Sequence, residues 1–285
     1  MTGTSLEVLS FMSSGIKKRT GSEYSDGQPG RINYHSEDEY RTVTLTVQAT
    51  AEDMHDITHL RDAVNELFDG ELMLREMRIK SVEVEYESMG QRTGELQLEA
   101  PEYVNGKQIK VAMVNSPEID DTTLVSTFTV EFETTELPYF ETIYTTLELH
   151  DSGYSATAEK YGLVDNIDVE KVKYRFTENN FTVYNAGNVT VEPESMYISI
   201  LFYYCSIPDG KMTVKNLTTG DVLEVNRTTN RSHIRQDGMV FTIAGVNFFR
   251  DTNRKFISLA PGDNKFEITG ATYDEARFNF KYLYR

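Results

Sequence analysis

Tryptophan is absent from the 285 residues, and cysteine occurs once, at Cys205. A lone cysteine excludes an intramolecular disulfide and fits a reducing compartment. Set among Phe202, Tyr203 and Tyr204 with no catalytic pattern around it, Cys205 reads as a packing residue. The missing Trp removes the commonest stacking platform of a shallow sugar-binding face, although 17 Tyr and 15 Phe remain. Positive charge is also scarce: 28 Lys plus Arg face 45 Asp plus Glu, a formal net charge of -17. That balance is the reverse of what a nucleic-acid binder or a protein adhering to an anionic membrane requires.

Long hydrophobic runs are lacking too. Residues 196–207 form the longest apolar stretch, but Ser199, Cys205 and Ser206 interrupt it, and it falls short of the ~20 residues that span a bilayer. No membrane insertion is expected, and the stretch reads as a buried strand. Residues 1–15 carry neither the basic head nor the apolar core of a secretory leader, so a cytosolic origin is expected. The Asn-x-Ser/Thr sites at Asn180, Asn188, Asn216, Asn226 and Asn230 then reflect a second half rich in turn and strand residues. No G-x-S-x-G elbow, phosphate-cradling loop or dinucleotide fingerprint is found.

What is present suits a folded protein: 39% apolar and 26% charged residues, in a length that accommodates two domains of roughly 150 residues each. After a polar loop at 20–30, residues 41–48 alternate Val43, Leu45 and Val47 with Thr42, Thr44 and Thr46, a half-buried strand. Ile57, Leu60, Val64, Leu67 and Phe68 recur at helical spacing between a capping Asp53 and Gly70, giving one amphipathic helix. Val82, Val84 and Tyr86, and later Phe128, Val130 and Phe132, alternate with polar residues as strands with one wet face. Between them, 101–107 and 115–123 supply turns around a strand at 109–114.

Leu137-Pro138-Tyr139 ends this series, and 149–162 shows no period, so the domain boundary is expected there. Beyond it, strands are expected at 172–176, 181–185, 197–205, 212–216, 222–226, 240–244, 265–269 and 278–284, with no helix. Short strands separated by turns predict a β-sandwich.

Three clusters invite a chemical reading. His55 and His59 stand one helical turn apart, as in a zinc site, but Asp56 replaces the Glu base and no third ligand is identified. They are read as solvent-face residues. Glu83, Glu85 and Glu87 share one strand face at ~6 to 7 Å intervals, which suits a wet face better than an acid-base pair. Asp120-Asp121 lacks the order of a calcium loop. No catalytic, cofactor-binding or metal residues are assigned, no cofactor is expected, and the chain is read as a non-enzyme.

The order of elements carries a resemblance. The Gly-punctuated loop at 20–30, the strand with Arg41-Thr42-Val43-Thr44-Leu45, the helix after Asp53 and the strand ending Phe132-Glu133-Thr134-Thr135-Glu136-Leu137-Pro138-Tyr139 resemble the amino-terminal domain of distal tail (Dit) proteins of long-tailed, non-contractile phages. Tyr184-Asn185-Ala186-Gly187-Asn188, Asn216-Leu217-Thr218-Thr219-Gly220 and Leu259-Ala260-Pro261-Gly262-Asp263-Asn264 are similar to turns of that family's galectin-like carboxy-terminal domain.

The resemblance implies a mainly β protein with one amphipathic helix. An amino-terminal sheet or β-barrel-like ring domain would span 1–150, with the excursion 87–125 as a clasping hairpin arm, and a galectin-like β-sandwich would span 151–285. It further implies a homo-oligomer, a hexameric ring in the virion tail assembled in the host cytoplasm. That ring would contact the tail tube protein, the tail-associated lysin or tip protein, and receptor-binding or baseplate proteins, and DNA would pass through its lumen without specific binding. The alternative is a carbohydrate-binding β-sandwich module. It needs Trp, Arg, His, Asn and Glu gathered on one concave sheet face, a cluster the sequence alone does not assemble.

Overall fold

The computed structural model describes residues 5–23, 32–78, 102–120 and 122–285. By contact density the chain forms two compact units. The first comprises 1–76, 108–140 and 285, and the second 77–107 and 141–284. The glutamate strand at 82–87, Asp121 and the loop at 24–31 lie outside the described residues.

In the first unit, strands β1 (Ser5–Ser13), β2 (Lys17–Glu23), β3 (Ile32–Tyr40) and β4 (Thr42–Thr50) precede helix α1 (Asp56–Phe68), followed by β5 (Glu71–Leu74), β6 (Lys107–Met113) and β7 (Val125–Thr134). The sheet runs β1-β4-β7-β6, with β5 also paired to β6. Alternation works as expected in β4: Val43, Leu45, Val47 and Ala49 are buried, and opposite them in β7 lie Phe132, Val130, Phe128 and Ser126. Ile57, Leu60, Val64 and Phe68 on α1 join the same core. Each such buried side chain contributes about 1.5 to 3 kcal/mol, so this shared face, not helix propensity, holds α1 in place. Phe68 meets Phe132 edge to face at 5.7 Å. The helix starts at Asp56, later than a cap at Asp53 implies, because the Asp53 carboxylate accepts from both His55 N (2.8 Å) and Asp56 N (3.1 Å) and stabilises an extra turn before it.

Two expectations for this unit change. Residues 107–113, within the stretch expected to form an arm, are an inner strand of the sheet whose Ile109 and Val111 are fully buried. The free-standing hairpin is instead β2–β3, pairing Lys17 with Tyr40 through Glu23 with Ile32.

The second unit opens its main stretch with α2 (Thr146–Ser152) and α3 (Tyr154–Tyr161), where no helix was expected. Both are too short and too polar to show a period. Local chemistry sets them: the Thr145 hydroxyl accepts from Glu148 N, and Gly153 and Gly162 end them at φ +80° and +92°. The sheets comprise β8 (Arg175–Phe176), β9 (Asn180–Asn185), β10 (Ile198–Ile207), β11 (Met212–Asn216), β12 (Val222–Val225), β13 (Thr229–Asp237), β14 (Val240–Ile243), β15 (Val246–Asn247), β16 (Gly262–Thr269) and β17 (Glu275–Phe280). One sheet runs β8-β17-β10-β13-β14-β15 and the other β9-β16-β11-β12. They face each other as a β-sandwich: Ile200, Phe202 and Phe241 from one line a common interior with Val214 and Leu223 from the other.

Within that interior Phe181 stacks between Phe176 (4.2 Å) and Phe266 (5.4 Å). Cys205 is buried with Sγ 3.9 Å from Met212 Sδ, and burial pushes its thiol pKa up to about 12, as befits an inert packing residue. The strand expected at 172–176 shrinks to Arg175–Phe176 because Val172 N and Lys173 N bond back to Val169 O and Lys171 O at the exit of a 3₁₀ turn at Val169–Lys171. The last expected strand divides into Glu275–Phe280 and Leu283–Tyr284.

Candidate functional site

The three asparagine-containing turns singled out in the sequence have a common job. Asn185, Asn216 and Asn264 are all buried. Asn185 Nδ2 donates to Val189 O and Leu259 O while its Oδ1 accepts from Gly187 N. Asn264 Nδ2 donates to Ala260 O (2.7 Å), and its Oδ1 accepts from Ala260 N (2.9 Å) and Asn216 Nδ2 (3.1 Å). Side-chain amides thus satisfy loop backbone that no strand reaches. Gly262 takes φ +84°, the conformation its turn requires. The motif residues are therefore scaffold.

Strand β1 carries a row of exposed apolar side chains. It is a terminal strand of its sheet, and Leu6, Val8, Leu9 and Met12 are 36%, 53%, 50% and 59% exposed. Its register to β4 slips between Val8 and Ser10, so Leu9 is an extra residue at a bulge. An edge strand bearing apolar side chains is a template for pairing with another chain.

The β2–β3 hairpin follows directly and is mostly exposed, with Gly21, Asp38 and Tyr40 half-buried. Its strands are joined by Lys18 to Asp38 (2.8 Å) and Tyr34 to Glu23 (2.6 Å). Its root is anchored through Asp38, which also accepts from Tyr139 OH (2.8 Å) and pairs with Arg285 (3.2 Å). The Lys18 bond, opposed by desolvation and aided by Tyr139 and Arg285, holds the Asp38 carboxyl below its usual pKa. Gly21 leaves room for the His35 ring of the facing strand, which a Cβ there would meet.

The chemical clusters weighed in the sequence are placed as follows. His55 and His59 are exposed on α1, opposite the buried Ile57 and Leu60. Among the described residues no three His, Cys, Asp or Glu gather as a metal site. Asp120 is spent on its own loop, accepting from Thr122 N and Oγ1.

No family model matches the chain, and no curated protein matches its sequence. Among solved structures, SPP1 Dit (gp 19.1), described as a paradigm of hub adsorption apparatus in Gram-positive infecting phages, matches with a TM-score of 0.61 at 11% identity, covering 98% of this chain and 94% of that one. The chain has a Dit-like fold. The phage p2 baseplate in its activated conformation with Sr aligns over 97% of this chain and 90% of that one at 11% identity, with a TM-score of 0.38. The fold assignment rests on SPP1 Dit alone. The mainly β architecture expected from the sequence is the one observed, and the Dit-like fold spans both units.

Sequence reading missed β1, the β2–β3 hairpin and β13. The first two have no fully buried face, so neither shows a period. Strand β13 reads Thr-Asn-Arg-Ser-His-Ile-Arg-Gln-Asp, with Ile234 the only large apolar residue. Without β13, the Arg, His and Glu residues of its sheet could not be seen as one face.

Proposed function

We propose that the chain is a structural hub at the distal end of a phage tail, forming a ring through its first unit. The likeness to SPP1 Dit over nearly the whole chain supports the hub reading. The observation that carries the ring is β1, a terminal sheet strand with four exposed apolar side chains beside a protruding hairpin. A closed ring buries one such heterologous patch in every copy. In this reading the ring is a hexamer that joins the tail tube protein to the tail-associated lysin or tip protein. The galectin-like second unit faces receptor-binding or baseplate proteins. DNA passes through the lumen unbound, favoured by a subunit charge of -17 that repels phosphate. The hub acts without catalysis, resides in the virion tail, and is assembled in the host cytoplasm. Among the described residues no helix is long and apolar enough to cross a membrane.

Light scattering on a Val8→Lys/Leu9→Lys variant tests the interface. Both positions are exposed, so folding stability should change by less than about 0.5 kcal/mol each while ring assembly is lost. Rings of unchanged mass would remove β1 from the interface.

A further inference from the structure

Beyond β15, a terminal strand of the six-stranded sheet, residues 248–256 close one side of the sandwich. Phe248 N donates to Phe241 O (3.1 Å) on one sheet. Toward the other, Asn226 N donates to Asp251 O (2.6 Å), Asn253 N to Glu224 O (3.1 Å) and Asn253 Nδ2 to Val222 O (2.8 Å), and Thr252 bridges to Val225. A loop whose backbone is bonded at both margins presents its side chains from a fixed platform. Within it Arg254 takes φ +59°, and its N–H donates to Thr252 Oγ1 (3.1 Å).

Two kinds of group on this loop face solvent. Arg250, Arg254 and Lys255 are exposed, and among the described residues none of them joins an ion pair. The loop's one carboxylate, Asp251, is already paired with Arg227 (3.0 Å). Phe249 and Phe256 are half-buried, nearly parallel to the buried Phe241 ring at 6.0 Å and 5.6 Å and 6.1 Å from each other. Val240 and Val246 on the adjoining hairpin are exposed. Phe and Arg together are what protein interfaces are enriched in, the ring supplying apolar area and the guanidinium a directed charge.

The chain also carries a complement to this surface. Its first unit holds 9 Lys plus Arg against 20 Asp plus Glu, so most of the negative charge lies there. At the carboxyl end of α1, Glu66 and Asp69 are exposed, no basic residue stands in the last turn, and among the described residues neither acid has an ion-pair partner. The helix dipole places its own partial negative charge at this end, so two carboxylates there are opposed by it and gain from an external cation. Leu67, between them in sequence, is 54% exposed, whereas Leu60 on the same helix is buried.

We propose that the 248–256 loop of one copy docks the carboxyl end of α1 of a second copy. Leu67 seats against Phe249 and Phe256, and Arg250, Arg254 and Lys255 face Glu66 and Asp69. Charge complementarity selects this occupant: a phosphate polymer would meet the cations but leave the rings open to water. The Debye length is about 8 Å at physiological salt, so this local pairing outweighs the like net charge of the two copies. Each copy offers both halves, which makes the contact heterologous and repeatable from neighbour to neighbour. It is separate from β1 and needs no tail-hub reading, since two copies of any protein bearing these surfaces would meet in this way.

Disulfide trapping in the full chain tests it, because the native Cys205 is buried and inert. Chains carrying Leu67→Cys and chains carrying Arg250→Cys, mixed under mild oxidation, should give a linked heterodimer about tenfold faster than either variant alone gives a homodimer. Glu66→Lys/Asp69→Lys on the first chain, or Arg254→Glu/Lys255→Glu on the second, should abolish that excess, and the two reversals together should restore it. All these positions are exposed, so the fold is retained. A heterodimer no faster than the homodimers, an excess that survives either reversal, or reversals that fail to rescue each other overturns the proposal. No excess, together with binding of labelled polyphosphate that Arg254→Glu/Lys255→Glu abolishes, would assign the loop to a phosphate polymer instead. The native mass of the unmodified chain reads the ring separately.

Discussion

At the scale of single residues, the sandwich interior contains one misfit. Gln236 on β13 is 3% exposed, and neither its Nε2 nor its Oε1 has a protein partner. It faces a cavity of about 10 Å³ lined by Ile200, Phe202, Val214 and other apolar side chains. An unpartnered buried amide costs about 1 to 3 kcal/mol, so Gln236→Met, close in volume and without polar atoms, should raise the second unit's stability by about 1 kcal/mol or more. Denaturant titration checks it, and a loss of stability would mean that the amide is satisfied in solution. Gly262 gives the opposite case. A Cβ there meets nothing within 4 Å, so Gly262→Val is penalised by its φ of +84° alone, about 1 to 3 kcal/mol.

At the scale of elements, the hairpin is a charged device fastened by Asp38. Because that carboxyl is depressed in the folded state, its contribution is fully present above the ordinary carboxylate pKa and is lost as pH falls through the lower, folded value. Amide protection in β2 and β3, corrected for intrinsic exchange, should therefore fall below about pH 4. In Asp38→Asn it should be low at every pH. Protection in that variant that still tracked pH would assign the titration to another group.

Legibility followed burial. Strand β4 and helix α1 bury one face each, so Val43 to Ala49 and Ile57 to Phe68 carry a readable period. Strand β1 buries neither face fully and carries none. The bulge that turns Tyr204 outward is invisible to alternation, which assumes that every second residue shares a face. The turn asparagines were legible as turn chemistry, but their pairing across 48 residues, Asn216 with Asn264, emerges only from the fold.

At the scale of the whole molecule, the proposed function divides between two compact units, assembly in the first and docking in the second. We propose that they melt separately, although the chain passes between them at 76–77, 107–108 and 140–141 and the stretch 149–162 lies inside the second. Calorimetry of Gly262→Val should lower one transition and leave the other in place, whereas a common fall would make the chain one cooperative body. Native mass spectrometry of the full chain decides whether the proposed ring forms. A closed assembly of six subunits of 32.6 kDa each is the predicted species. A folded chain that stays monomeric across the accessible concentration range would rule the ring out.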